Sequence, residues 1–205
     1  MKIKYLFQGL LFGLAYVAPI GVQNLFVINS ALYKSKLEAL RTAMTTVFFD
    51  ISLALSCFFG VGFLLTKFNM LGNILMGIGS IVIIYIAISL IRSTPDTFKN
   101  NIENESFSKV ILKCFAVTWL NPQAIIDGTL LLGGIRASLE NETSYFFIIG
   151  VALASFLWFN VLSGIVSITK NKFNNKVLKF INILCGLIIL FYGLKLGYDF
   201  ILKIL

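Results

Sequence analysis

Two aspartates stand inside apolar runs, Asp50 in TTVFFDISLALS and Asp127 in NPQAIIDGTLLLGG. A carboxylate near the centre of a membrane helix costs roughly 2.5–3.5 kcal/mol on insertion scales, so the pair needs compensation. No lysine or arginine lies deep in these runs; the nearest, Arg41, Lys113 and Arg136, stand at their ends. The missing positive charge is then a cationic cargo, a coupling proton, or both. The competing reading is a protonated carboxyl that hydrogen-bonds an amide and cements two helices.

Each aspartate belongs with a proline. In VAPIGVQN, Pro19 removes a backbone donor and displaces a carbonyl, Gly21 is expected to adopt dihedrals that other residues avoid, and Gln23 and Asn24 follow as amides. In TWLNPQAIID, Asn121 and Pro122 precede Asp127. A helix restarting at Pro19, and another at Pro122, offers N–H groups and a partial positive end suited to a carboxylate. Freed backbone groups are tolerated in a membrane only where protein or a wet cavity receives them. A third segment, ASFLWFN, puts Ser155 and Trp158 on one helix face, where an indole could cover a cation.

The elements that must carry these residues are membrane helices. The chain has 205 residues, 58% apolar and only 13% charged, with mean hydropathy +0.91 in the same sequence. Six spans are expected, at roughly 5–29, 42–66, 70–91, 113–135, 145–168 and 178–202. The first is too long for an ordinary signal sequence and is read as retained. A polar linker over about 92–110 divides repeat one, about 1–91, from repeat two, about 111–205, within a single membrane transporter domain. Each half holds three spans and opens with a proline-broken helix, so the fold expected is an all-α integral membrane protein of two inverted-topology repeats. Asp50 should lie about 12 Å, and Pro19 about 15 Å, from the cytoplasmic ends of their spans.

Basic residues orient the chain. Loops one, three and five hold Lys34, Lys36, Arg41, Arg92, Lys99, Lys109, Lys113, Lys170, Lys172, Lys176 and Lys179, against Lys2, Lys4, Lys67, Arg136 and Lys203 on the other side. Positive charge is retained in the cytoplasm, which puts both termini outside. The net charge of +8 thus points to anionic lipid rather than nucleic acid, because no binding element collects it. Cys57, Cys114 and Cys185 fall singly in three apolar runs, and the chain has no histidine. No cofactor or metal site is expected from them, and a soft-metal cargo is disfavoured. A homo-oligomer is compatible with the sequence but nothing specifies it.

The motifs PIGVQN, TWLNPQAIID and ASFLWF, with FQGLLFG ahead of the first, resemble those of the LysE/ArgO family of bacterial basic amino acid exporters, in the same order over nearly the whole chain. That resemblance implies export of L-arginine or L-lysine across the inner membrane, energised by the proton motive force. It carries Pro19, Gly21, Gln23, Asn24, Asn121, Pro122, Asp127, Ser155 and Trp158 over as site residues, and Asp50 matches an acid of the second span. Val22 replaces a second proline often found in the family, and Gln123 a histidine, so a proton relay here must use Asp50, Asp127 or water. Two rival readings stand beside this one. Paired carboxylates could serve an inorganic-cation exporter, and two converging cysteines a membrane thiol oxidoreductase of related architecture.

Overall fold

The computed structural model describes residues 2–19, 21–60, 69–92, 106–136, 139–170 and 175–204. They form helices, and no strand occurs among them. Helix α1, Lys2–Val17, stops at Pro19, which has no N–H to follow the last bond of the ladder, from the Ala18 N–H to the Leu14 carbonyl, and α2, Val22–Tyr33, restarts with its axis turned by 80°. A turn at Lys34 and Ser35 leads to α3, Lys36–Phe58. Ser35 opens α3 with a reciprocal cap: its hydroxyl accepts the Glu38 N–H at 3.3 Å, while its own N–H reaches Glu38 Oε2 at 3.1 Å. Gly60, at φ +87°, follows the other end of α3 in the left-handed region that favours glycine.

Next comes α4, Asn69–Arg92, and then α5, Phe107–Trp119, preceded by Ser106 at its N-cap. After a break at Leu120 and Asn121, α6 runs over Pro122–Gly128 and passes through a π-helical stretch, Thr129–Gly133, into a last turn, Gly134–Arg136. Two long helices complete the chain, α7 at Asn141–Thr169 and α8 at Asn175–Ile204. At 29 residues, α7 is about 44 Å long, more than a bilayer's hydrocarbon core.

Several helix limits differ from those expected. Span two begins at Lys36 rather than 42, because the Ser35–Glu38 cap nucleates the helix in a polar stretch. This moves Asp50 to about 21 Å from the helix start, close to its middle. Span four begins at Phe107, shortening the polar linker. Residues 61–66 of the expected second span and 93–105 of the linker lie outside the described residues.

Among the described helices, α3 and α7 are long and apolar enough to cross a membrane, and α1 with α2 makes a third such stretch if the bent pair is one span. Exposed Phe7, Leu11, Phe48, Ile81, Tyr85 and Ile165 cover the outside of the bundle with apolar surface. The chain is a multi-pass helical membrane protein.

Packing is intimate where glycines meet. Gly9 and Gly13 of α1 lie against Gly150 and Ala154 of α7; a side chain at Gly13 would come within 2.6 Å of the Ala154 Cβ. The bundle pairs helices reciprocally: α1 packs on α7 and α5 on α3, α2 on α7 and α6 on α3, α2 on α8 and α6 on α4. Helices α3 and α7 cross each other centrally, and α4 lies along α8. One apolar cluster of Val17, Val27, Ala43, Val47 and Phe159 fills the space between the α1–α2 bend, α3 and α7. A second, with Val22, Leu25, Ile83, Ala87, Val117 and Ile189, fills the opposite flank of α2.

Candidate functional site

The bend between α1 and α2 frees backbone carbonyls, and Asn24 receives two of them. Its Nδ2 donates to the Val17 carbonyl at 2.9 Å and the Pro19 carbonyl at 2.7 Å. Its Oδ1 accepts the Trp158 indole N–H at 2.8 Å. Asn24 is 4% exposed and is occupied on both ends of its amide, so it acts as the clamp of the bend. Helix α2 starts at Val22, three residues later than Pro19, and no side chain caps it. Its N-cap, Gly21, has φ −128° and ψ −172°, ordinary extended backbone. The expectation that Gly21 serves by unusual dihedrals is therefore corrected: a Cβ there would meet open space, and what glycine provides is room beside the bare helix start.

Asp50 is fully buried at 1% exposure in the middle of α3. Its Oδ1 accepts Gln23 Nε2 at 3.1 Å and its Oδ2 accepts the Ser155 hydroxyl at 2.6 Å. Gln23 also donates to Thr118 Oγ1 at 3.0 Å, tying α2, α3, α5 and α7 to one carboxylate. Two neutral donors orient Asp50 without cancelling its charge. Among the described residues no lysine or arginine pairs with it.

The second break differs from the first. Asn121, with φ −101° and ψ 95°, is the N-cap of α6, and Pro122 takes the opening position of the helix, where a missing N–H costs nothing. Five residues on, Asp127 is exposed, which corrects the expectation of a second buried carboxylate: it sits at the mouth of a hollow instead of in a packed core. The π-helical stretch begins two residues later, its Thr129 hydroxyl bonded to the Ile125 carbonyl at 2.7 Å. Such widened turns recur at functional sites because they redirect side chains without ending a helix.

Both breaks open on one cavity of about 480 Å³. Tyr16 and Val17 from α1, Pro19 and Gly21 from the bend, Gln23 and Asn24 from α2 and Asp50 from α3 line one side. Asn121, Ala124, Asp127, Leu130 and Leu131 line the other. The volume suits a small organic ion. One wall feature is unexpected: the Tyr16 hydroxyl is buried and has no hydrogen-bond partner among the described residues. An unpaired buried hydroxyl costs about 1–3 kcal/mol.

The LysE type translocator profile matches residues 14–200, both halves and both breaks included. The chain belongs to the LysE family. Among similar LysE-family proteins is one named arginine exporter protein ArgO from Enterobacter sp. (strain 638), 28% identical over 96% of this chain and 95% of that protein. Proteins of the same name from Escherichia coli (strain K12) and Klebsiella pneumoniae (strain 342) are each 29% identical, over 96% and 95% of this chain respectively and 94% of their own lengths. No solved structure matches this chain.

Of the residues expected in a LysE-type site, Pro19, Gly21, Gln23, Asn24, Asp50, Asn121 and Asp127 line the cavity. Ser155 and Trp158 stand behind it, holding Asp50 and Asn24 in place. The Trp158 N–H is thus engaged with an amide. Thr118 and Tyr16 escaped sequence reasoning: a threonine beside a tryptophan and a tyrosine in an apolar run are ordinary core residues until their neighbours are known. Cys57 and Cys114 do not converge. Cys57 meets the Ile125 carbonyl while Cys114 meets Thr46 and Thr42, which lie 11 and 15 residues earlier on α3, about 16 Å or more away. Cys185 lies outside the described side chains.

Proposed function

We propose that this protein exports basic L-amino acids, arginine and/or lysine, from the cytoplasm across the bacterial inner membrane, coupled to the proton motive force. The observation that carries this reading is the convergence of Asp50 and Asp127, from different halves of the chain, on one cavity beside two interrupted helices. A basic amino acid carries two cations and one carboxylate. Asp50 and Asp127 receive the cations, and the uncapped start of α2 next to Gly21 receives the carboxylate. The arginine-exporter names of the similar proteins agree with that charge pattern.

The molecule works as one domain of six spans in two inverted repeats, with both termini outside. Partly reciprocal packing supports the repeat: α1 and α2 meet α7, and α2 meets α8, as α5 and α6 meet α3, and α6 meets α4. Lys170 donates to the Lys34 carbonyl, which puts the basic α2–α3 turn and the basic end of α7 on one face, as cytoplasmic loops should be. From the breaks, the cavity extends along α6 toward Arg136, while Val27, Ala43, Val47 and Phe159 close the opposite side. With both termini outside, this arrangement supports an outward-open reading of the carrier. Protonation of a carboxylate from outside releases the cargo, and rocking of one half against the other returns the site to the cytoplasm.

The test is efflux of labelled arginine from loaded vesicles, together with growth on the toxic analogue canavanine in a strain lacking its own exporter. Wild type should protect and export. Asp50→Asn and Asp127→Asn should each lower export about tenfold or more. Full activity in both variants would sink the scheme.

A further inference from the structure

Asp50 is held by two donors of unequal firmness. Ser155 reaches Oδ2 through a short side chain at 2.6 Å, whereas Gln23 reaches Oδ1 through a long one at 3.1 Å. Gln23 borders the cavity, and a glutamine held by a single bond keeps much of its rotamer freedom. Its second bond is to Thr118 Oγ1 at 3.0 Å, so both N–H groups of the amide are engaged and the side chain is pinned. Thr118 itself is 0% exposed and is not among the residues that line the cavity, so it touches no cargo. It stands in the last turn of α5, where the Trp119 indole donates to Ser52 Oγ at 3.1 Å and docks that turn on α3, two residues from Asp50. The Gln23–Thr118 bond therefore joins the two interrupted segments, with Gln23 just past the first break and Thr118 just before the second.

We propose that Thr118 is a positioning residue for export: its hydroxyl oxygen fixes the Gln23 amide on Asp50, and so decides which lone pairs of the carboxylate stay open to the cation of the cargo. The inference rests on the export reading and adds to it a residue that acts without touching cargo. A carboxylate offers about four lone-pair sites. Gln23 and Ser155 take one on each oxygen of Asp50, and where these donors stand sets the direction of the sites that remain. Without the Thr118 oxygen, Gln23 hangs on one bond, and Asp50 Oδ1 turns as the amide swings. Thr118 belongs to the second half of the chain and Gln23 and Asp50 to the first, so the carboxylate is fully aligned only while the two breaks are docked on each other.

Thr118→Val and Thr118→Ser separate the hydroxyl from the methyl group. With the purified full-length protein in lipid nanodiscs, Thr118→Val should weaken labelled L-arginine binding about fivefold, and Thr118→Ser should restore it to near wild-type affinity. In a Gln23→Ala background, Thr118→Val should bring no further loss, since it acts through that amide. Equal arginine affinity in Thr118→Val and wild type overturns the inference alone, as does equal weakening in Thr118→Val and Thr118→Ser. So does a further loss in the Gln23→Ala background, or a Thr118→Val protein that no longer folds, either of which makes the hydroxyl structural. A wild-type protein that binds no arginine, tested alongside, overturns the export reading and this inference with it.

Discussion

Asn24 shows how one amide can set a whole bend. Its three hydrogen bonds satisfy two carbonyls that the bend leaves without helical partners and fix a tryptophan from α7. Asn24→Ala should destabilise the protein by about 3 kcal/mol, read as a lower melting temperature in detergent, because buried carbonyls and an indole N–H lose their partners together. Gly21 behaves oppositely. A side chain there meets open space, so Gly21→Leu should leave the melting temperature within a few degrees of wild type while abolishing arginine efflux by filling the hollow. Loss of efflux with loss of fold would show that Gly21 is structural after all.

Helix pairing depends on small residues and one strong cap. Gly13 packs against Val151 and Ala154, and Gly150 against the α1 backbone near Leu6 and Leu10, leaving no room for a methyl group. Gly13→Leu should force α1 off α7 and cost about 3 kcal/mol or more, seen as reduced yield of folded protein and a lower melting temperature. Ser35→Ala removes the α3 cap, exposed to solvent, at a cost of about 1 kcal/mol; thermal unfolding would register it while arginine binding stays unchanged. The contrast separates local helix initiation from interhelical contact. Prolines end helices by chain chemistry, whereas the angle between the resulting halves is decided by the helices they pack on.

The molecule as a whole is organised so that a polar site sits at the meeting of its halves. The outward-open reading makes a prediction about access. In a cysteine-free background, Leu130→Cys, on the exposed wall of the cavity, should react with an impermeant thiol reagent added outside, and arginine should slow the reaction. Thr42→Cys should stay silent in the same assay, since Thr42 is buried against Ser30 on the closed side. Labelling of Thr42→Cys but not Leu130→Cys from outside would invert the proposed orientation.

The membrane class, the helical segments, the paired prolines and the two acids were all legible in the order of residues, because hydropathy, charge and proline chemistry act locally. Helix limits were less so: the start of α3 depends on a cap between Ser35 and Glu38 that lies outside the apolar run. Asp50 and Asp127 looked equivalent, two carboxylates in greasy stretches. Folding separates them, burying Asp50 between Gln23 and Ser155 and leaving Asp127 exposed on the cavity wall. Trp158 and Ser155 were found by motif, but their places behind the cavity follow from α7 crossing α3. Tyr16 carried no signal at all, because an unpaired hydroxyl is a property of surroundings, and surroundings exist only once distant helices have packed.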